Sequence, residues 1–255
     1  SVIEKSGLIK NKDFYLAYSP EREDPGNKNF TTESIPKIVG ADNNIARDLA
    51  VETYKGVISK VIPLSSSRAA EATKLTENIF RSVNIALVNE LKIIFDAMDI
   101  DVWEVIDGAA SKPFGFMPFY PGPGLGGHCI PIDPFYLTYK AKEFGVPTRF
   151  IELAGELNTN MPNLVIRKLS HSLSYHSSKS LNGSKILIIG LSYKKDIDDM
   201  RESPSLELYK LLELEGASVD YHDTYLPEIP KNREYTELIG KKSVNLTSES
   251  IKLYD

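Results

Sequence analysis

Twelve consecutive residues gather the types that could do chemistry: Gly122-Pro123-Gly124-Leu125-Gly126-Gly127-His128-Cys129-Ile130-Pro131-Ile132-Asp133. Four glycines precede the only cysteine among 255 residues, and a carboxylate follows it. Adjacent glycines allow positive φ and close approach of the backbone to a ligand. Successive N–H groups in such a loop suit phosphate or another anion. Two readings fit these residues taken alone. In one, a thiol and a carboxylate adjoin an anion-binding loop; in the other, a glycine-rich surface turn carries an incidental small buried thiol.

Two more polar sets stand out. Glu71, Lys74, Asn78 and Arg81 are spaced to share one face of a helix. That row fits the solvated side of an amphipathic helix. It also fits a face turned to a cleft, where lysine and asparagine one turn apart donate to one oxygen as charge develops on it. Tyr193-Lys194-Lys195-Asp196-Ile197-Asp198-Asp199-Met200-Arg201 is a dense charge cluster just after the apolar run 185–190. Ligands bind at that carboxyl end in parallel sheets, although a solvated charged loop has the same composition.

The elements that must position these groups are legible from period and punctuation. Residues 1–5 read as the tail of a helix stopped by Gly7. Strands are expected at 14–18, 36–40 and 58–63, with a polar loop at 19–26 and a helix from Asn43 to Lys55. Ser65-Ser66-Ser67 offers an N-cap to a helix from Ala69 to Met98 that holds no Gly or Pro. Its apolar residues, Leu75, Ile79, Val83, Leu87, Leu91 and Ile94 among them, recur every three or four positions, which predicts a core helix about 45 Å long. Helices follow at 101–109, 134–144 and 151–174, with an aromatic, proline-rich loop at 113–123 and a linker at 177–184. The last segment reads as strand 185–190, helix 205–216 opened by Ser203-Pro204, and strand 218–221. This order predicts an α/β chain of doubly wound Rossmann-like domains joined by a central helical domain with one long helix.

Composition narrows the class. With 42% hydrophobic and 25% charged residues the chain has an ordinary globular make-up. A net charge of −5 and the lack of a basic run point away from nucleic acid. No apolar run of about 18 residues appears and the first residues do not read as a signal peptide, so no membrane span is expected. One cysteine forms no internal disulfide, which points to the cytoplasm.

Gly126–Asp133, Ser19-Pro20-Glu21, Lys74 with Asn78, and the segment from Gly190 to Ser203 resemble the UDP-glucose/GDP-mannose dehydrogenase family, in order and over almost the whole chain. The loop Ser19–Gly26, the run Asn78–Asn84 and the pair His128-Cys129 are similar to the bacterial UDP-N-acetylhexosamine 6-dehydrogenase branch, above all the UDP-N-acetylglucosamine enzymes of surface-polysaccharide synthesis, whether capsule or O-antigen. The resemblance implies three parts: residues 1–64 as the trailing part of an N-terminal NAD-binding domain, 65–176 as a central domain for dimerisation and catalysis, and 177–255 as a UDP-binding domain. The family's first glycine-rich NAD loop and a threonine near the nicotinamide have no counterpart in these residues. The expectation is therefore that this chain alone neither binds NAD nor turns over. Its C-terminus also reads as early for a complete sheet.

The resemblance further implies a four-electron, NAD-dependent oxidation of a sugar C6 hydroxyl to the uronic acid. Cys129 is the implied nucleophile, forming a thiohemiacetal and then a thioester that water cleaves. Lys74 is the implied cation beside that thiol. Lys74 and Asn78 would hold the C6 oxygen, and Asp133 and Glu21 would position and deprotonate water. The position of a second family glutamate is occupied here by Pro25, and whether Glu23 substitutes for it is left open by the sequence. Substrate contacts are implied for Arg81, Tyr120, Gly124, Leu125, Gly126, Gly127 and Lys194; Arg201 would meet the NAD pyrophosphate. His128 is expected to touch substrate or a partner subunit, because neighbours in an extended segment point opposite ways. A homodimer through the long helix is implied, and no metal. Other readings are a UDP-glucose or GDP-mannose 6-dehydrogenase, and a non-catalytic nucleotide-sugar-binding or dimerisation module.

Overall fold

A computed structural model describes residues 2–23, 27, 29–127 and 130–255. Pro25, His128 and Cys129 lie outside the described residues. The chain divides into two compact units, residues 1–78 and 79–255.

In the first unit, strand β1 (Lys37–Gly40) pairs in parallel with β2 (Val61–Leu64), Lys37 opposite Val61. Helix α1 (Asn44–Lys55) joins them, and Asn43 caps it by accepting the Ala46 N–H at 3.0 Å. Ile38, Val39, Ala46 and Ile58 are buried. The expected strand at 14–18 does not form. The segment makes only isolated bridges, Phe14 to Lys10 and Tyr18 to Gly40, while Tyr15 and Leu16 stay exposed. β2 starts three residues later than expected because the N–H groups of Ile58 and Ser59 are drawn aside, to Tyr54 O and Glu33 O.

Helix α2 runs over Ser67–Ala97, close to the expected bounds. Within the N-terminal serine run, Ser66 Oγ accepts the Ala69 N–H at 3.1 Å. The end of β1 lies against this helix start so closely that a Cβ at Gly40 would stand 2.2 Å from Ser66 O.

In the second unit, α3 (Val102–Ala110) is capped by Asp101. Val102 and Ile106 bury against Val88, with Leu91, Phe95 and Phe119 packed around them. α4 (Asp133–Glu143) starts with Pro134 in its first turn, and α5 spans Arg149–Ser177. Pro162 lies inside α5 without ending it, but a proline supplies no N–H to the carbonyl four residues back, that of Asn158.

β3 (Lys185–Ile189) and β4 (Ser218–His222) form a second parallel pair, Lys185 opposite Ser218. α6 (Pro204–Leu214) crosses between them, opened by Ser203 as N-cap and Pro204 at N1. One core joins Ile166 and Leu173 of α5 to Leu206, Tyr209 and Leu212 of α6 and to Ile186, Val219 and Tyr221 of the strands. The segment expected as a linker is part of that core: Leu181 is buried in it, and Ser184 O accepts from Ser218 N–H. A short helix α7 (Ser248–Ile251) follows. No helix among the described residues is long and apolar enough to cross a membrane.

Candidate nucleotide-sugar site

In the second unit, glycine loop 122–126 and the two turns that follow β3 and β4 enclose a cavity of about 530 Å³. Its walls include Gly124, Gly126, Ser192, Lys194, Thr224 and Tyr225. The glycines permit this closure. Gly124 and Gly127 take φ of +142° and +82°, where a side chain is strained, and a Cβ on Gly126 would lie 2.5 Å from the Tyr193 Cβ. Gly127 N–H donates to Arg201 O at 3.1 Å, clasping the loop to the segment after β3. That N–H is therefore used for joining chain segments and is not offered to an anion. Gly122, Gly124 and Gly127 also match the spacing of a dinucleotide fingerprint, but no strand leads into them.

A buried relay that the sequence reading missed anchors this loop. Gly122 N–H donates to Asn89 Oδ1 at 2.9 Å, Asn89 Nδ2 donates to Asn158 Oδ1 at 2.9 Å, and Asn158 Nδ2 donates to Ser82 O at 2.9 Å. Both asparagines are buried. Among the described residues these two amides are satisfied by one another, the loop and a carbonyl of α2. Their one sequence signal is polarity at otherwise apolar helix positions.

Other expected residues are placed differently. Lys194 lines the cavity, but Arg201 does not: it pairs with Asp199 through Nε at 3.0 Å and Nη2 at 2.6 Å and borders a separate hollow with Arg233 and Glu234. Tyr120 donates to Asp107 Oδ1 at 2.7 Å, a bond that raises its phenol above the usual range. Leu125 is half-buried, Arg81 is exposed, and Asp133 is half-buried in the first turn of α4.

In the first unit, Lys74 is half-buried and Asn78 buried, while Glu71 at the end of the row is exposed. Arg22 brings the loop of Glu21 to this part of α2, with Nη2 2.7 Å from Glu77 Oε1 and Nη1 donating to Pro36 O at 2.6 Å. Glu21 itself accepts the N–H groups of Arg22 and Glu23 at 2.6 and 2.9 Å and lies 3.4 Å from Lys37 Nζ. Burial pushes its carboxyl up, but these donors and the Lys37 charge outweigh it and hold Glu21 below the usual carboxylate range. Glu23 is bonded by the Thr32 hydroxyl.

The turns after β1 and β3 are not built for a dinucleotide pyrophosphate. The N-terminus of α1 is capped by Asn43, which takes the Ala46 N–H, and the neighbouring Asp42 pairs with Lys10 Nζ at 3.8 Å. The turn after β3 gives the N–H groups of Leu191 and Ser192 to the carboxylate of Asp223.

Comparison with known proteins agrees with this geometry. Residues 68–160 match the central domain of the UDP-glucose/GDP-mannose dehydrogenase family, and residues 187–255 match its UDP binding domain. The chain is 38% identical over 231 residues to a UDP-N-acetyl-D-glucosamine 6-dehydrogenase of Salmonella typhi, covering 90% of this chain and 54% of that protein. It is 38% identical over 206 residues to a UDP-N-acetyl-D-mannosamine dehydrogenase of Campylobacter jejuni, covering 81% and 48%. The structure of a UDP-D-ManNAc dehydrogenase from Pyrococcus horikoshii superposes with a TM-score of 0.81 at 32% identity, over 88% of this chain and 53% of that one. The chain thus spans about half the length of the curated relatives it matches. With both the central and the UDP-binding domain in place, the chain belongs to the UDP-glucose/GDP-mannose dehydrogenase family.

Proposed function

We propose that this chain supplies the nucleotide-sugar site and the covalent nucleophile of an NAD-dependent UDP-N-acetylhexosamine 6-dehydrogenase, with UDP-N-acetylglucosamine as the preferred substrate. The observation that carries the reading is the cavity between the glycine loop and the turns of the UDP-binding domain. Relatives named for both N-acetylglucosamine and N-acetylmannosamine support the sugar class.

In this reading the diphosphate lies against Lys194, whose ammonium pairs with phosphate oxygens. Gly124, Gly126 and Gly127 bring the backbone close to the sugar. Cys129 adds its thiolate to the C6 aldehyde and later releases the acid when water cleaves the thioester. Lys74 and Asn78, one turn apart on α2, donate to the C6 oxygen as negative charge develops there. Asp133 takes the proton of the attacking water. Glu21, held ionised by its own loop, orients that water and is a weak base. A bound nicotinamide nucleotide would supply the hydride acceptor for the two oxidations, and the turns after β1 and β3 are not built for its pyrophosphate. The exposed apolar residues of α2, Leu87, Ile93 and Ile94 among them, are proposed as the contact between two copies.

Calorimetry on the 255-residue chain tests this reading. UDP-N-acetylglucosamine should bind, GDP-mannose should bind at least about tenfold more weakly, and NAD+ should give no heat. Absence of UDP-sugar binding, or tight NAD+ binding, contradicts it.

A further inference from the structure

The turn after β3 is where a dinucleotide-binding sheet presents free N–H groups to a phosphate. Here one carboxylate fills that position. Asp223, one residue past β4, accepts Leu191 N–H at 2.7 Å and Ser192 N–H at 3.2 Å through Oδ2. Through Oδ1 it accepts Tyr225 N–H at 2.8 Å and Leu226 N–H at 3.0 Å. The first pair belongs to the turn after β3 and the second to the turn after β4. Ser192 and Tyr225 line the cavity on these two turns. Asp223 is itself held in place, its N–H donating to Ser243 Oγ at 2.9 Å while that hydroxyl donates back to Asp223 O at 3.1 Å. Burial pushes the carboxyl up, but the four backbone donors outweigh it, so the group stays ionised at neutral pH.

We propose that Asp223 is a positioning residue of the nucleotide-sugar cavity: its carboxylate replaces a phosphate at the β3 turn, ties both turns together, and leaves the substrate diphosphate to the side chains of residues 192–195. The proposal rests on the reading that this cavity takes a UDP-sugar. A diphosphate brought to the β3 turn would face a fixed negative charge in a partly buried site, where like charges repel strongly. The internal anion thus separates a nucleotide-sugar site from a dinucleotide site built on the same β-turn-α frame.

The test is UDP affinity by calorimetry for the wild-type chain, Asp223→Gly and Asp223→Asn, each with and without acetate. Asp223→Gly should weaken UDP binding about tenfold or more. Acetate should restore that affinity together with the melting temperature, because the vacated space accepts a small carboxylate. Asp223→Asn fills the space while placing an N–H₂ against backbone donors, so it should bind weakly and acetate should not help. Unchanged UDP affinity in either variant, or recovery of melting temperature without recovery of affinity, overturns the proposal. If Asp223→Gly does not fold, Asp223→Asn read below its transition decides by the same criterion. A wild-type chain that fails to bind UDP overturns the cavity assignment and this proposal together, whereas wild-type binding with unaffected variants overturns this proposal alone.

Discussion

At the scale of single residues, the site depends on atoms that must be missing and on charges that must be compensated. A methyl group on Gly126 would stand 2.5 Å from the Tyr193 Cβ, and neither is the free end of a flexible chain. Gly126→Ala should therefore push the glycine loop off the segment after β3 and lower UDP affinity about tenfold. Gly122→Ala, whose added Cβ meets nothing nearer than 3.9 Å, should leave affinity within about a factor of two on the same scale. Calorimetry on the two variants separates close packing from a general need for glycine; equal losses would contradict it. Asp223 supplies a pH dependence. Its pKa is depressed by folding, so its contribution to stability is present above the ordinary carboxylate pKa and is lost as pH falls through the lowered folded value. The difference in melting temperature between the wild-type chain and Asp223→Asn should be full near neutrality and vanish in acid. A difference that persists at the acid limit would mean that the side chain acts through its shape. The residue types of the glycine loop were legible in the sequence, but the use of their N–H groups was not. Gly127 gives its N–H to Arg201 O, a partner 74 positions along the chain that no local pattern specifies.

At the scale of elements, the helices and their starts follow from spacing and caps: Asn43, Ser66, Asp101 and Ser203 each begin a helix within a residue or two of where the sequence puts it. Strands were less legible, because pairing depends on a distant partner. Residues 14–18 have strand composition but make only two isolated bridges, Phe14 to the nearby Lys10 and Tyr18 to Gly40. The asparagine relay was hidden for the same reason, since a buried amide and a solvated one look alike in sequence. Its loss should be costly. Asn158→Leu leaves Ser82 O and Asn89 Nδ2 without these donors and acceptors, which should cost about 1–3 kcal/mol in urea unfolding. The double variant with Asn89→Leu should cost less than the sum of the two single changes, because the shared hydrogen bond is lost only once. Strict additivity would mean that the two amides act independently. The proposed contact between copies also has to be tested at the right residue. Leu91 packs against Val88 and Val102, so a charge there disturbs the core, whereas Leu87 and Ile94 are exposed on the same helix. Leu87→Glu should yield monomers of unchanged helix content by light scattering and circular dichroism; an intact dimer would contradict the contact.

At the scale of the whole molecule, two parallel β-turn-α-β frames each close their own anion position, one with Asn43 and the other with Asp223. A molecule built this way favours a ligand held by loops over one held at a sheet turn. The motifs that place the chain in its family were legible because they are local runs. The cavity was not, since it forms between residues 122–126 and 189–225, segments far apart in sequence that meet through the packing of α5 on α6 and of the glycine loop on Tyr193. The central claim is that this cavity holds the nucleotide sugar. The most direct measurement is a two-dimensional amide spectrum of the isotope-labelled chain titrated with UDP-N-acetylglucosamine. Shifts confined to residues 122–126, 189–197 and 222–225 are the predicted result. Shifts centred on residues 198–202 and 230–235, around Arg201 and its separate hollow, would contradict the account.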